Sequence, residues 1–458
     1  MSIPQVTTRE PFSTLLKGKK SCSCGRRHLC SIHNFQICDD HVEAVLYNVV
    51  KKMKILSLHF VSTEDDMLKH GTGIMNFMGS LGYTVSSSIF SKESDFICDH
   101  VAAGNLILHI PGNAQAIVVI GDKPICDLAK YAALKNDLPV ILIPTYASTD
   151  SFASGTADFI ENNHRMNVAA KVPSAILADL SILTSAPIEK TNAGIGSVIA
   201  NYVSLADWQM SVVAMGSYIC PDIAETLLTL TNNVFDPLSK GYSAKSNEVM
   251  EPLISCLVAS GVFIQFAGTD ALVRGSESAI ANYLEFKLLS EGITDYSFDL
   301  LRGLSSLYCL RMYDSLRNRV PDFNEAYNLL DNFGWVYYNS EIFRVFGEEY
   351  GNKVLARSGG DDYYNSVSHR SRIVRLRDNY DKTPKAAEDF LPTYSKVVNI
   401  LKAASFPCSI ADLGFTKEEI TDALVWSKED SPRYGIVRYM ADIGMLEYSV
   451  DQLLKNLK

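Results

Sequence analysis

The chain has 458 residues, with 42 Lys and Arg against 52 Asp and Glu, a formal charge of -10, 47% hydrophobic and 21% charged residues. At roughly 100–200 residues per domain that length suits two or three domains with ample core, and the composition excludes wholesale disorder. The acidic balance counts against a nucleic-acid surface, because no basic stripe is available to neutralise phosphates.

No stretch reaches about 18 apolar residues without a charge or a helix breaker, so no membrane span is expected. The N-terminal segment MSIPQVTTREPFSTLLKGKK lacks the continuous apolar run of an export signal. Ten cysteines in a chain of this length are too sparse for a disulfide scaffold. These features together predict a cytoplasmic protein with reduced thiols.

Up to about residue 185, short β-rich runs alternate with helical ones. Residues 53–61 (MKILSLHFV) read as a buried strand, 64–80 as a helix closed by Gly82, and 83–90 (YTVSSSIF) as a second strand. AIVVIGD (116–122) leads into a helix over 126–137, then a strand PVILIPT (139–145) and a further apolar run SAILADL (174–180). Strand, helix and strand at these lengths predict a parallel sheet with covering helices. Ligands of such sheets lie outside the carboxyl ends of the strands, which directs attention to the turns after Ile120 and Thr145.

From about residue 190 the spacing becomes helical, as in LADWQMSVVAMG (205–216), SNEVMEPLISCLVASGVFIQF (246–266) and SAIANYLEFKLLSEG (278–292). Thr416 and Glu419 make a capping-box start near the C-terminus. The polar stretch 351–390, with Gly359-Gly360 and a run of Arg and Asp, fits either a long loop or a polar helical insert. Seven Cys and His residues (Cys22, Cys24, His28, Cys30, His33, Cys38 and His41) crowd into residues 22–41. Their density suits zinc, but Cys-x-Cys is not the usual knuckle spacing, and the question stays open at this level.

Several segments, in order, carry a family resemblance. They are CSCGRRH (22–28), CDLAKYAALKNDLPVILIPTYASTDSFAS (126–154), VPSAILADLSILTSAP (172–187), AGIGSVIANYVSLADW (193–208), RGSESAIANYLE (274–285) and the tail LGFTKEEITDALVWSKEDSPRYGIVRYMADIGMLE (413–447). The chain resembles the bacterial sn-glycerol-1-phosphate dehydrogenases, within the iron-containing alcohol dehydrogenase and dehydroquinate synthase-like superfamily. The resemblance implies a Rossmann-like α/β domain over 1–187 with an N-terminal hairpin. An all-helical domain over 188–458 follows, with an active cleft between the two. It also implies an NAD(P)-dependent oxidoreductase of polyol phosphates whose divalent metal, held by one Asp and two His, acts as a Lewis acid.

Carried over position by position, the metal set is altered. Ser197 stands at the family's Asp, Ser278 at its first His and Arg302 at its last; Asn282 and Asn201 replace a further His and a Lys. The nine histidines are 28, 33, 41, 59, 70, 100, 109, 164 and 369, so none falls within 165–368. No catalytic metal is therefore expected. A guanidinium at 302 is expected to fill the vacated place, paired with Glu277 or Asp207 or with a ligand's phosphate.

The cofactor turn departs too. Where the family has Gly-Ser-Gly-Thr-x-x-Asp, this chain has Gly121-Asp122-Lys123-Pro124-Ile125-Cys126-Asp127. Asp122 sets a carboxylate where phosphate oxygens would lie, and Pro124 removes an amide donor. The resemblance nevertheless assigns Gly121, Lys123, Asp127, Thr145 and Ser148 to the cofactor. It assigns Asp150, Ser154, Asp207, Glu277 and Arg302 to the substrate cleft. The expectation is a divergent member that binds, regulates or serves as a partner subunit, as a homodimer or beside a related chain. The alternative is a metal-independent enzyme acting on a phosphorylated small molecule, with or without NAD(P)H.

Overall fold

The computed structural model describes residues 3–11, 13, 15–18, 21–92, 96–317, 320–357, 364 and 366–455. Seven strands form one sheet in the order β1-β2-β9-β6-β5-β3-β4. These are β1 (Thr8–Arg9), β2 (Asn34–Cys38), β3 (Ser57–Thr63), β4 (Thr84–Phe90), β5 (Ala116–Gly121), β6 (Val140–Pro144) and β9 (Ala175–Asp179). Only β1 runs antiparallel to its neighbour. β7 (Thr156–Glu161) and β8 (His164–Ala169) make a separate antiparallel hairpin. Its turn, Asn162-Asn163, has both residues at positive φ, 48° and 63°, the backbone that a tight hairpin demands.

The central strands β5, β6 and β9 are buried along their whole length, as parallel strands covered on both faces must be. Leu58, Phe60, Val118, Ile120, Ile141 and Ile143 share one core with Val42, Val45, Leu46 and Val49 of the helix Val42–Met53. His59 is a buried member of β3. Its Nδ1 and Nε2 each meet a serine hydroxyl of β4, Ser86 at 2.9 Å and Ser88 at 3.0 Å. Burial lowers its pKa to about 4, so it stays a neutral packing residue.

The strand expected over 53–61 begins instead at Ser57. Met53 ends the preceding helix, and Lys54, at φ 58°, caps it with its own amide. The helix expected over 126–137 begins at Lys123. Pro124 falls in its first turn, where an amide donor has no helical partner to lose. β2 lies in the Cys/His-rich segment and β1 ahead of it, and both went unread in the sequence.

Among the described residues no strand follows β9. The capping box forms as drawn, Thr416 Oγ1 accepting from Glu419 N and Glu419 Oε2 accepting from Thr416 N at 2.9 Å. In the polar stretch, helices cover Trp335–Arg357, bent at Gly347, and then Ser366–Asp378 and Lys382–Glu388. Gly359-Gly360 lie outside the described residues. One helix, Asn247–Ala267, has the length and apolar character of a membrane span, with mean hydropathy 1.7. Of its most apolar window, 78% is buried inside the protein, as in a core helix.

The chain forms two compact units. The first holds 1–198, 229–269 and 286–300; the second holds 199–228, 270–285 and 301–458. The change from strands to helices near residue 187 and the edges of these units are thus different boundaries.

Candidate functional site

Within the first unit, a cavity of about 370 Å³ opens beside the carboxyl ends of β3 and β5, where parallel sheets place their ligands. Asp122, directly after β5, holds the N-cap position of the helix Lys123–Lys135 without capping it. Its carboxylate accepts from the Ser148 hydroxyl and, at 3.3 Å, from Lys190 Nζ. Lys190 also sits 5.2 Å over the Tyr146 ring. Both side chains line the cavity with Lys69, which is exposed. Asp66 lies close behind; burial and the charge of Asp122 push its carboxyl up to about 6.

Lys123 also lines the cavity, but its ammonium is engaged twice, by Asp127 at 2.9 Å and by Asp158 at 2.6 Å. Arg165 of β8 shares Asp158 at 2.8 Å and lies 4.1 Å over the Phe298 ring. Burial would raise the Asp158 carboxyl, yet Lys123 and Arg165 overcome it and hold the group well below the usual carboxylate range. Behind this cluster Asp127 meets Lys130 at 2.8 Å, and the fully buried Lys130 donates to the carbonyls of Ser151 and Thr156, both at 2.8 Å. Ser154 takes a 3.3 Å bond from the same ammonium.

Of the residues assigned to the cofactor, Lys123 and Ser148 therefore face the cavity, whereas Asp127 and Thr145 are buried away from its lining. Gly121 ends β5 beneath the turn. Asp150 and Ser154 are likewise buried and do not line it. Sequence reading missed Asp66, Lys69, Asp158, Arg165 and Lys190. The available signal was the pair of alternating runs TADFIE and HRMNVA around Asn162-Asn163, which marks the hairpin bearing Asp158 and Arg165.

In the second unit Arg302 is fully buried. Its Nε donates to Ser278 Oγ at 3.2 Å, its Nη2 donates to the Val273 carbonyl at 2.5 Å, and the same nitrogen stands 3.9 Å from Glu277 Oε1. Glu277 accepts further from Ser278 Oγ at 2.8 Å and from Gly275 N at 3.0 Å. Asp207 accepts from Tyr313 Oη at 2.5 Å and from the amides of Ser276 and Ile436 at 2.7 and 2.9 Å. A side chain at Gly275 would stand 2.7 Å from Glu277 Oε2 and 2.6 Å from Asp207 Oδ2, so only glycine fits between the two acids. Burial raises both carboxyls, Glu277 to about 7.

Ser278 and Arg302 are thus engaged with each other. A guanidinium has no lone pair to offer, so this pair does not fit a divalent cation. Ser197 is buried on the part of the helix Ile188–Met215 that belongs to the first unit, and Asn201 is buried in the second.

A profile described as iron-containing alcohol dehydrogenase matches residues 50–187. A glycerol-1-phosphate dehydrogenase [NAD(P)+] of Bacillus licheniformis is 26% identical over 307 residues, 67% of this chain and 76% of that protein. The protein of the same name from Saccharolobus islandicus (strain M.14.25) is 32% identical over 181 residues, 40% of this chain and 51% of its own length. Among solved structures, a glycerol dehydrogenase from Schizosaccharomyces pombe matches with TM-score 0.56 at 14% identity, covering 93% of this chain and 91% of its own. A sulfoacetaldehyde reductase from Bifidobacterium kashiwanohense in complex with NAD+ also matches with TM-score 0.56, at 15% identity over 92% of this chain and 98% of its own. The matched profile and these relatives make the chain similar to the iron-containing alcohol dehydrogenases and to glycerol-1-phosphate dehydrogenase, and the solved structures share its fold.

Proposed function

We propose that the protein is a divergent glycerol-1-phosphate dehydrogenase relative that no longer carries out metal-dependent hydride transfer and acts by binding, as a regulatory protein or partner subunit. The observation that supports this is Arg302, a buried guanidinium bonded to Ser278 and Val273 where the family has a histidine ligand. A Lewis acid contributes several kcal/mol to such a reaction, so its loss removes orders of magnitude in rate. On this reading the strand-end cavity takes a small phosphorylated metabolite. Lys69 and Lys190 attract the anion, and the hydroxyl of Ser148 offers a hydrogen bond to it. A dinucleotide pyrophosphate does not sit at the turn after β5 in the family's manner, because Asp122 and Asp66 already place two carboxyl groups there. Work in the cytoplasm, as a homodimer or beside a related chain, belongs to the same proposal.

The test is hydride transfer from NADH or NADPH to dihydroxyacetone phosphate by the purified full chain, with and without added zinc, nickel or ferrous iron. No turnover above the protein-free rate is expected; robust turnover abolished by a chelator overturns the proposal. A second reading, a metal-independent enzyme in the same cavity, draws on the Ser148–Asp122–Lys190 array, a hydroxyl bonded to a carboxylate that also meets an ammonium. Turnover that survives chelation and falls in Ser148→Ala would favour it.

A further inference from the structure

Residues 22–28 fold into a tight turn that no part of the proposed function uses. Gly25 N donates to the Cys22 carbonyl at 3.0 Å, and Gly25 stands at φ 81°, a conformation natural to glycine. The turn brings two thiols and one imidazole together: the sulfurs of Cys22 and Cys24 and a ring nitrogen of His28 lie within 4.8 Å of one another. His28 is buried, and both cysteines are half-buried.

The imidazole is oriented from its far side. His28 Nδ1 lies 2.8 Å from the Phe266 carbonyl oxygen, which can only accept, so Nδ1 carries the proton. That makes Nε2 the unprotonated nitrogen, and it faces Cys24 Sγ at 3.4 Å. Around a tetrahedral zinc, with Zn–S near 2.3 Å and Zn–N near 2.0–2.1 Å, the S···N edge is about 3.6 Å. A histidine that gives its second N–H to a backbone carbonyl is also the usual outer support of a zinc ligand. Thiolate and imidazole donors together select zinc over the hard cations.

The geometry points to a structural zinc site formed by Cys22, Cys24 and His28. It is separate from the position of Arg302 and does not depend on the proposed function. Its role is to pin the N-terminal segment to the end of the helix Asn247–Ala267, where Arg26 Nη1 donates to the Ala267 carbonyl at 3.0 Å and Ser31 N to Gln265 Oε1 at 3.2 Å. Metal binding releases the two thiol protons to solvent and changes no oxidation state.

The experiment is elemental analysis of the purified full chain after exhaustive dialysis, paired with zinc X-ray absorption. One zinc per chain is expected, with sulfur scatterers near 2.3 Å and nitrogen near 2.0–2.1 Å. Cys24→Ser and His28→Ala should each lower zinc retention at least tenfold. Because these variants could also lose the fold, cobalt(II) substitution of the unaltered protein gives an independent readout: tetrahedral d–d bands with thiolate charge transfer. A metal-free protein, a shell of only nitrogen and oxygen, a Cys22–Cys24 disulfide, or zinc retained undiminished in both variants would each overturn the site.

Discussion

Two buried charge clusters do opposite things with the same ingredients. Beside the strand ends, Lys123, Lys130 and Arg165 face Asp127 and Asp158, and every carboxylate has at least one cation within 2.9 Å. In the helical unit one guanidinium, Arg302, stands 3.9 Å from Glu277, while Asp207 is held by a hydroxyl and two amides. The first cluster drives Asp158 down; the second leaves Glu277 and Asp207 raised. Burial acts on both clusters, so the number and closeness of cations decide the sign. The helical-unit cluster, with one arginine near two acids, carries surplus acid, whereas the strand-end cluster is fully matched.

Removing the lone guanidinium should show the largest effect. Arg302→Ala leaves Glu277 without its cation and is expected to destabilise by about 3–5 kcal/mol in urea unfolding at pH 8. Glu277→Gln in the same chain should restore part of that loss, and purely additive losses would break the comparison.

Next comes pH. Glu277 binds its proton more tightly in the folded chain than when unfolded, so the folded state holds more protons between about 4.5 and 7. Stability conferred below that window is lost as pH rises through it. Relative to Glu277→Gln, the unaltered protein should lose on the order of 3 kcal/mol between pH 4.5 and 8, at 1.36 kcal/mol per unit. Parallel stability curves for the two proteins would refute the assignment of surplus acid.

Smaller is Lys130→Met, which strands two carbonyls but leaves Asp127 its bond to Lys123. About 2 kcal/mol of destabilisation is expected from the unmatched acceptors. A loss equal to that of Arg302→Ala would erase the contrast between the clusters. Smallest is Asp122→Asn, which removes one negative charge from the cavity wall. Calorimetry with inorganic phosphate should register about tenfold tighter binding, equivalent to 1.4 kcal/mol. Unchanged or weaker affinity would remove the cavity from consideration as an anion site.

Much of the fold was legible because central parallel strands are continuous apolar runs: AIVVIG and VILIP could hardly be anything else. The hairpin TADFIE–HRMNVA escaped notice because its alternation is half polar and its turn uses Asn-Asn rather than glycine. Arg302 stood out by residue type, and of the partners weighed for it, Glu277, Asp207 or a ligand's phosphate, Glu277 stands 3.9 Å away. Lys123 could not be read the same way. Its partner Asp158 lies 31 residues past Asp127, on a strand that sequence spacing does not bring near. Proximity of that kind is a product of topology rather than of local pattern.

The contact between His28 and the Phe266 carbonyl spans 238 residues, and that between Arg26 and Ala267 spans 241. On the ribosome the turn that bears these side chains emerges long before the helix end it seals. At 5–20 residues per second the wait lasts roughly 12 to 48 s. For that interval Cys22 and Cys24 are thiols on a nascent chain with no backbone carbonyl yet made to orient the histidine beside them. Vectorial synthesis therefore makes the ordering of this segment a late event, whatever the speed at which the strands pair.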